Sequence, residues 1–321
     1  MKGRFAPSPT GRMHLGNVYS ALLSWLSVRS QGGTWVLRIE DLDPQRSHRI
    51  YAEQIEDDLH WLGLDWDEGG LENMPANPSS QQGSVSYIQS ERGTIYTHYL
   101  NKLKEKGLTY PCYCTRADIM ATQAPHEADG RVVYAGTCRP KNLDQAWSNV
   151  DSHPSGRKPA TRIIVPDEEI SFVDAHYGPL SVNLARHCGD FVLRRADGAW
   201  AYQLAVVVDD ALMGITEVVR GRDLLLSAPQ QIYLYRLLGF EVPTFCHLPL
   251  LCNETGQRLC KRDKSLDMGE IRRSGRSPES VLGQLAFYAG IIDRPEPVSA
   301  LELVPEFSWT KVPVEDIYVS K

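Results

Sequence analysis

What this sequence lacks narrows the field before any motif is read. It has no apolar run long enough to span a bilayer. Met1-Lys2-Gly3-Arg4 is followed by proline and glycine, without the apolar stretch of a secretory signal. No membrane partner is therefore expected. Cysteine is sparse: seven among 321 residues, an odd number that does not form the disulfide lattice of a small secreted domain. A cytoplasmic protein with a few working thiols fits better. Positive charge is not in excess, since 34 Lys and Arg stand against 40 Asp and Glu for a formal charge of −6. That balance argues against wrapping nucleic acid non-specifically, but charge distribution still permits a local basic face. Lys261, Arg262, Lys264, Arg272, Arg273 and Arg276 cluster in one stretch, and part of the acidic surplus lies in Glu53–Glu68. There is no internal repeat or low-complexity segment. No coiled-coil seam is visible, and a monomer is expected.

The length allows two or three domains, and 42% hydrophobic residues supply sizeable cores. Gly3–Ala6 reads as a short buried strand ended by Pro7 and Pro9. Leu15–Val28 reads as a helix, because Leu15, Val18, Tyr19, Leu22, Leu23 and Leu26 recur at helical spacing. Thr34–Ile39 follows as a strand and Ala52–Leu62 as a helix. This alternation predicts an open α/β sheet. Gly69–Gly83 reads as a surface loop, and Ser90–Lys106 as a helix. A hairpin-like region bearing cysteines comes next, then a polar stretch, Arg139–Lys158, and strands of a small domain at Thr161–Val165 and Glu169–Val173. Phe191–Leu193, with Trp200–Ala205 after a turn at Asp197-Gly198, reads as the return to the main sheet. Val206–Val208 leads to Asp209-Asp210, where a helix is expected to start. Ile215–Arg220 reads as a strand and Pro229–Leu238 as a helix. After about residue 245 a smaller, largely helical end domain is expected.

Arg4-Phe-Ala-Pro-Ser-Pro-Thr-Gly-Arg-Met-His-Leu-Gly-Asn17 is the most informative segment. It sets a proline-stiffened loop ahead of a helix. Gly11 and Gly16 permit close backbone approach, His14 can donate to phosphate, and the helix start offers free amides and a favourable dipole. The arrangement suits ATP held for attack at its α-phosphate. The plainer alternative is that His14 caps the helix and the glycines make turns. A late basic loop, Arg258-Leu-Cys-Lys-Arg262, can neutralise triphosphate charge, or it can be an ordinary basic surface loop.

These segments together resemble the class I aminoacyl-tRNA synthetases, specifically their glutamyl branch. His14-Leu-Gly-Asn17 is similar to that branch's histidine–glycine signature, and Leu37-Arg-Ile-Glu-Asp-Leu-Asp43 to its amino-acid-binding strand end. Trp200–Asp210 and Gly214–Asp223 resemble the second half of its catalytic domain. The likeness runs from Lys2 to roughly Gly290. It implies a Rossmann-type parallel sheet with an inserted zinc-bearing subdomain and a small helical C-terminal stem-contact domain. The implied divisions are 1–106 and 186–244 for the two catalytic halves, 107–185 for the insertion, and 245–321 for the signature loop and stem-contact domain. The resemblance assigns ATP, with Mg2+, to Pro9, Gly11, His14, Gly16, Asn17 and Lys261. It makes His14, Lys261 and Arg262 catalytic, with Lys261 favoured over Arg258. Two departures stand out: Cys260 replaces the usual serine, and Arg222 replaces a commoner acidic or small residue. Arg222 is read as either a changed contact to RNA or a solvent-exposed side chain.

An acidic substrate needs a cation for its side chain and a polar or anionic group for its ammonium. Arg4 and Arg220 are bidentate cations beside predicted strand ends, Glu40 suits the ammonium, and Ser8 and Tyr202 carry orienting hydroxyls. The resemblance carries substrate roles onto these five. The alternative is an Arg–Glu network holding the sheet together, which Arg38 could join. Asp41, Asp43, Asp209, Asp210 and Asp223 are read partly as loop-ordering or helix-capping residues. The implied chemistry makes glutamyl-adenylate from L-glutamate and ATP and hands the glutamyl group to RNA.

Cys112, Cys114 and Cys138 supply three soft ligands, and structural zinc takes four. His126 and Tyr134 are both available as the fourth, and packed reduced thiols are the alternative. The chain ends at Lys321 with no room for the usual anticodon-reading module, so no anticodon-binding domain is expected. In this the chain resembles a truncated bacterial group of the glutamyl branch that glutamylates queuosine in the anticodon loop of tRNA(Asp). That group carries a Cys-x-Cys, tyrosine, cysteine site, which implies Cys112, Cys114, Tyr134 and Cys138 around one structural zinc. Cys188, Cys246 and Cys252 read as packed thiols. Charging of a tRNA 3′ end, an inactive RNA-binding relative and another adenylylating enzyme are the competing functions.

Overall fold

The structure is a computed structural model that describes residues 1–72, 86–121, 133–143, 146–148, 150, 156–259 and 267–319. The chain opens with β1 (Lys2–Phe5), α1 (Leu15–Arg29), β2 (Thr34–Leu37), α2 (Arg49–Trp61) and β3 (Glu68–Gly69). α3 (Gly93–Glu105), β4 (Thr109–Cys112) and α4 (Arg116–Ala121) follow. Next come β5 (Ala160–Ile163), β6 (Glu169–Asp174), β7 (Gly178–Asn183), α5 (Leu184–His187) and β8 (Val192–Arg194). α6 (Tyr202–Leu212), β9 (Glu217–Gly221), α7 (Ala228–Leu238) and β10 (Thr244–Leu248) complete the α/β part. The end comprises β11 (Leu251–Cys252), α8 (Met268–Arg273), α9 (Pro278–Tyr288), α10 (Ala300–Leu303) and β12 (Ile317–Tyr318).

The main sheet has the order β10-β9-β1-β2-β3, with every pairing parallel. Parallel strands covered on both faces read as apolar runs, and Trp35, Val36, Leu37, Val218 and Phe245 are all buried. α1 is buried almost all round, from Val18 and Tyr19 to Leu26 and Val28. A helix of that kind needs cover on both sides. The sheet gives one cover. Val281, Leu282, Leu285 and Leu303 of α9 and α10 belong to the same apolar cluster, and Trp309 Nε1 donates to Ser27 Oγ at 3.1 Å.

Four expectations need correction. α6 starts at Tyr202, not at Asp209-Asp210, so Tyr202–Ala205 belong to a helix and not to the sheet; an apolar run reads as a strand, but a buried helix carries apolar residues on every face. β8 does not return to the main sheet, because it pairs antiparallel with β5 in the three-stranded sheet β4-β5-β8. β4 likewise pairs with β5, so the cysteine-bearing segment finds its partner strand far along the chain and not in a local hairpin. Finally, a boundary at 244/245 cuts through β10, an edge strand of the main sheet, and α9 and α10 pack into the α1 core. The polar His247 inside it hid that strand. Residues 73–83 of the predicted loop lie outside the described residues.

Candidate active site

β1 sits where the strand order turns, with β2 on one side and β9 on the other. Such a switch point opens a crevice beyond the carboxyl ends of the strands. Here it is a cleft of about 420 Å³. Arg4, Ser8, Glu40, Tyr202 and Arg220 all line it, with Gly11, His14 and Asn17. Pro9 and Gly16 do not; the Pro9 carbonyl accepts the His48 N–H at 3.0 Å.

His14 is the N-cap of α1. Its Nδ1 accepts the Gly16 N–H at 3.1 Å, and Asn17 Oδ1 accepts the His14 N–H at 3.1 Å. The capping role weighed from the sequence is therefore present. It coexists with a place on the cleft wall, where the positive end of α1 favours an anion. Gly11 has φ 152°, which side-chain-bearing residues rarely adopt.

Lys261, Arg262, Cys260 and Lys264 lie outside the described residues. On the near side, Arg258 lines the cleft and pairs with Asp223, while the Leu259 N–H bonds Leu251 O at 2.9 Å. On the far side, Asp267 bridges to His14, and the Met268 N–H bonds Met13 O at 3.0 Å. Sequence reasoning missed the support beneath. Arg12 donates twice to the fully buried Asp58, at 2.7 and 3.1 Å, and Arg272 donates to the same carboxylate at 2.8 Å. One carboxylate thus ties the loop before His14 to α2 and α8.

The Arg–Glu network weighed from the sequence also exists. Arg4 Nε and Arg38 Nη1 share Asp210 at 3.2 and 2.6 Å, and Arg38 Nη2 reaches Glu40 at 3.1 Å. Burial alone would raise the Asp210 carboxyl; Arg38 and then Arg4 outweigh it and hold Asp210 below its ordinary range. Burial raises the Glu40 pKa against the pull of Arg38. Asp209 accepts from Gln89, Arg92 and Tyr96 at 2.7, 2.6 and 2.8 Å. Asp41 orders a loop by accepting from Ser90. Arg222 is exposed yet not unpartnered: it pairs with Asp316 and braces the β12 end.

Arg220 is held differently. Its Nε donates to His247 Nε2 at 2.9 Å, Nη1 to Gln231 Oε1 at 2.8 Å and Tyr202 Oη at 3.4 Å, and Nη2 to Leu224 O at 3.2 Å. Every one of these acceptors is neutral. His247 Nδ1 meets Asp174 Oδ2 at 2.5 Å. Burial lowers the His247 pKa from its ordinary 6.5; Asp174 opposes the shift and Arg220 reinforces it. Because Nε2 accepts from the Arg220 guanidinium and Nδ1 faces a carboxylate, the geometry assigns an uncharged imidazole with its proton on Nδ1. Folded His247 binds a proton less readily than unfolded His247. Its contribution to stability is complete above pH 6.5 and is lost as pH falls through the lowered folded value. The expected result is a wild-type stability that declines as pH falls below 6.5 more steeply than that of His247→Gln, by up to about 1.4 kcal/mol per pH unit. Parallel slopes in denaturant titrations would contradict it.

His247, Asp174 and Gln231 escaped the sequence reading. Their signal is a polar residue inside an apolar strand for His247, at a strand end for Asp174 and on a helix for Gln231, and Asp174 lies 73 residues from its partner.

A second constellation stands apart from the cleft. The Sγ atoms of Cys112, Cys114 and Cys138 lie within 4.8 Å of one another. Tyr134 Oη is 3.4 Å from Cys112 Sγ and 3.8 Å from Cys114 Sγ, and Cys114 Sγ is 3.4 Å from Cys138 Sγ. Tetrahedral zinc at about 2.3 Å from sulfur sets S···S edges of about 3.8 Å, so the donor set fits. Arg162 donates to Cys112 Sγ at 3.2 Å and lies 3.7 Å from the Tyr134 ring centre, a cation suited to a site rich in thiolate. His126 lies outside the described residues. Cys246 and Cys252 are buried thiols.

Among the described residues no helix is long and apolar enough to cross a membrane. Residues 1–307 match the family described as tRNA synthetases class I (E and Q), catalytic domain. The chain is 48% identical over 319 residues to the glutamyl-Q tRNA(Asp) synthetase of Symbiobacterium thermophilum, a match covering 99% of this chain and 95% of that one. It is 45% identical over 312 residues to the protein of the same name from Deinococcus radiodurans, covering 94% and 95%. A glutamate tRNA ligase from Elizabethkingia meningosepticum, solved in complex with its amino acid, has a TM-score of 0.81 at 30% identity. That match covers 99% of this chain, which spans 66% of the ligase's length. With its parallel sheet and the cleft at its switch point, the chain belongs to the class I (E and Q) tRNA synthetase catalytic-domain family.

Proposed function

We propose that this chain activates L-glutamate with ATP and transfers it to the queuosine base in the anticodon loop of tRNA(Asp). The observation that carries the amino-acid half is Arg220, a buried guanidinium on the cleft wall whose acceptors are all neutral. A buried cation without a counter-ion is costly, and a side-chain carboxylate relieves that cost. Glu40 on the same wall suits the substrate ammonium, and Ser8, Tyr202 and Arg4 orient the rest. The acceptor half is supported by the relatives that share 42–48% identity over nearly all of this chain and are named for that activity.

In this reading the glutamate α-carboxylate attacks the α-phosphate of ATP. Pyrophosphate leaves and glutamyl-adenylate forms. The His14 segment and the start of α1 hold the phosphates, and Lys261 and Arg262 neutralise the charge that develops on them. Magnesium arrives with the phosphates of ATP. A hydroxyl of the cyclopentene diol of queuosine then attacks the activated carbonyl, loses its proton and expels AMP. Positioning carries the rate, and no protein nucleophile is needed. The reaction belongs to the cytoplasm. Transfer of labelled glutamate to tRNA(Asp) with and without queuosine tests the proposal: label only on the queuosine-containing RNA is expected, and equal labelling of both would overturn it. The likeness to a glutamate tRNA ligase favours 3′-end charging as the second reading, which predicts label at the 3′ end of tRNA(Glu) that carries no queuosine.

Cys112, Cys114, Tyr134 and Cys138 are proposed to hold one structural zinc, since four protein ligands leave no open position. Purified protein is expected to carry about one zinc per chain by elemental analysis, and Cys138→Ala to bind it at least about 100-fold more weakly in a chelator competition. Unchanged zinc content and affinity in that variant would contradict the ligand set.

A further inference from the structure

We propose that His247 is a positioning residue for the selection of an acidic side chain. Held by Asp174 with its proton on Nδ1, it anchors Arg220 through an uncharged nitrogen and leaves the guanidinium charge for the substrate. The inference rests on the reading of Arg220 as the ligand of the glutamate side-chain carboxylate.

The register makes the contact. His247 of β10 and Arg220 of β9 are direct partners in adjacent parallel strands, so their side chains share one face of the sheet. Asp174, at the end of β6, closes the row from the other side. Its Oδ1 accepts the backbone N–H groups of His176, Tyr177 and His247 at 3.1, 2.9 and 3.2 Å, which leaves Oδ2 to the imidazole. Asp174 and His247 are 1% and 0% exposed, so water does not replace either partner. The Phe245 ring lies under the Arg220 guanidinium, with the ring centre 5.1 Å away, and the Phe245 and His247 rings are stacked at 15°. Plane and direction of the guanidinium are both set.

The neighbouring arginines show what the imidazole avoids. Arg4 and Arg38 are bonded directly to the Asp210 carboxylate, and Arg38 also to Glu40, so carboxylates in direct contact offset their charge. At Arg220 the nearest carboxylate of the brace is set back behind an imidazole. A hydrogen bond to a neutral acceptor orients the cation without cancelling its charge. Glutamate then completes the ion pair, whereas glutamine leaves the buried charge uncompensated. That difference is the source of discrimination.

The test measures ATP–pyrophosphate exchange by the full chain, with tRNA(Asp) present, for His247→Glu, His247→Gln and Arg220→Gln. His247→Glu places a carboxylate on Arg220 and is expected to raise KM for glutamate about 100-fold or more, while KM for ATP changes less than about 3-fold. His247→Gln supplies a neutral acceptor and is expected to stay within about 10-fold of wild type. Discrimination against glutamine falls most in His247→Glu. Equal effects of the Glu and Gln variants on KM for glutamate would overturn the inference. So would wild-type behaviour of His247→Glu alongside an impaired Arg220→Gln. If Arg220→Gln itself leaves KM for glutamate unchanged, it is the Arg220 reading that fails. Should His247→Glu not fold, 15N NMR of the wild-type imidazole decides: a neutral ring protonated on Nδ1 is expected at neutral pH, and an imidazolium or a ring protonated on Nε2 refutes the brace.

Discussion

Arg220→Gln is expected to lower kcat/KM for glutamate by about 10²–10³-fold in ATP–pyrophosphate exchange. Removing one partner of a buried, hydrogen-bonded charge pair costs about 3–5 kcal/mol, and each 1.4 kcal/mol is a factor of ten. The lower half of that range applies, because Gln keeps one donor and the cleft admits some solvent. The loss should fall mainly on KM, since the side-chain carboxylate is bound alike in the ground and transition states. Arg220→Lys should recover little. A lysine cannot reach His247, Gln231 and Leu224 together with the substrate, as the planar guanidinium does. KM for ATP should stay near its wild-type value, because the nucleotide segment reaches the cleft from Gly11, His14 and Asn17. A variant that binds glutamate normally would remove Arg220 from the substrate site.

Asp210→Ala is expected to have the largest effect on stability, about 3–5 kcal/mol by chemical denaturation. Asp210 is 2% exposed, and it is the carboxylate that Arg4 and Arg38 share. Its removal leaves the buried Arg4 guanidinium without a carboxylate partner among the described residues, with the Val219 carbonyl at 3.3 Å still accepting from it, and takes the shortest carboxylate contact from Arg38, which keeps Glu40 at 3.1 Å and Asp209 at 4.0 Å. Activity should fall as well, because Arg4 and Glu40 both line the cleft. Glu53→Ala supplies the contrast. It removes the exposed Arg49 pair at 3.0 Å and is expected to change stability by less than about 0.5 kcal/mol. A loss below about 1 kcal/mol for Asp210→Ala would show that the network does not hold the sheet.

The legible parts of this fold are those whose signal is local. α1 lies almost where its apolar spacing puts it, and the prolines after β1 end that strand as expected. The α/β class follows from the alternation. The zinc-ligand set and the substrate roles of Arg4, Ser8, Glu40, Tyr202 and Arg220 came from resemblance, because no local pattern says which strands will end side by side. The structure brings those five to one cleft, and their roles are the proposal. Contacts at long range were not legible. Asp174 meets His247 across 73 positions, Asp58 meets Arg272 across 214, and Arg162 meets Cys112 across 50. A valine run hid the start of α6, because a fully buried helix and a buried strand share one apolar signature. β10 was lost to the opposite error: His247 interrupts its apolar run, although it is fully buried.

The account turns on where glutamate is attached. Labelled glutamate, ATP and queuosine-containing tRNA(Asp) should give label confined to the isolated anticodon-arm fragment. Periodate cleavage of the queuosine diol should abolish it. Label at the 3′ end of the RNA, or on tRNA(Glu) that carries no queuosine, would contradict the account.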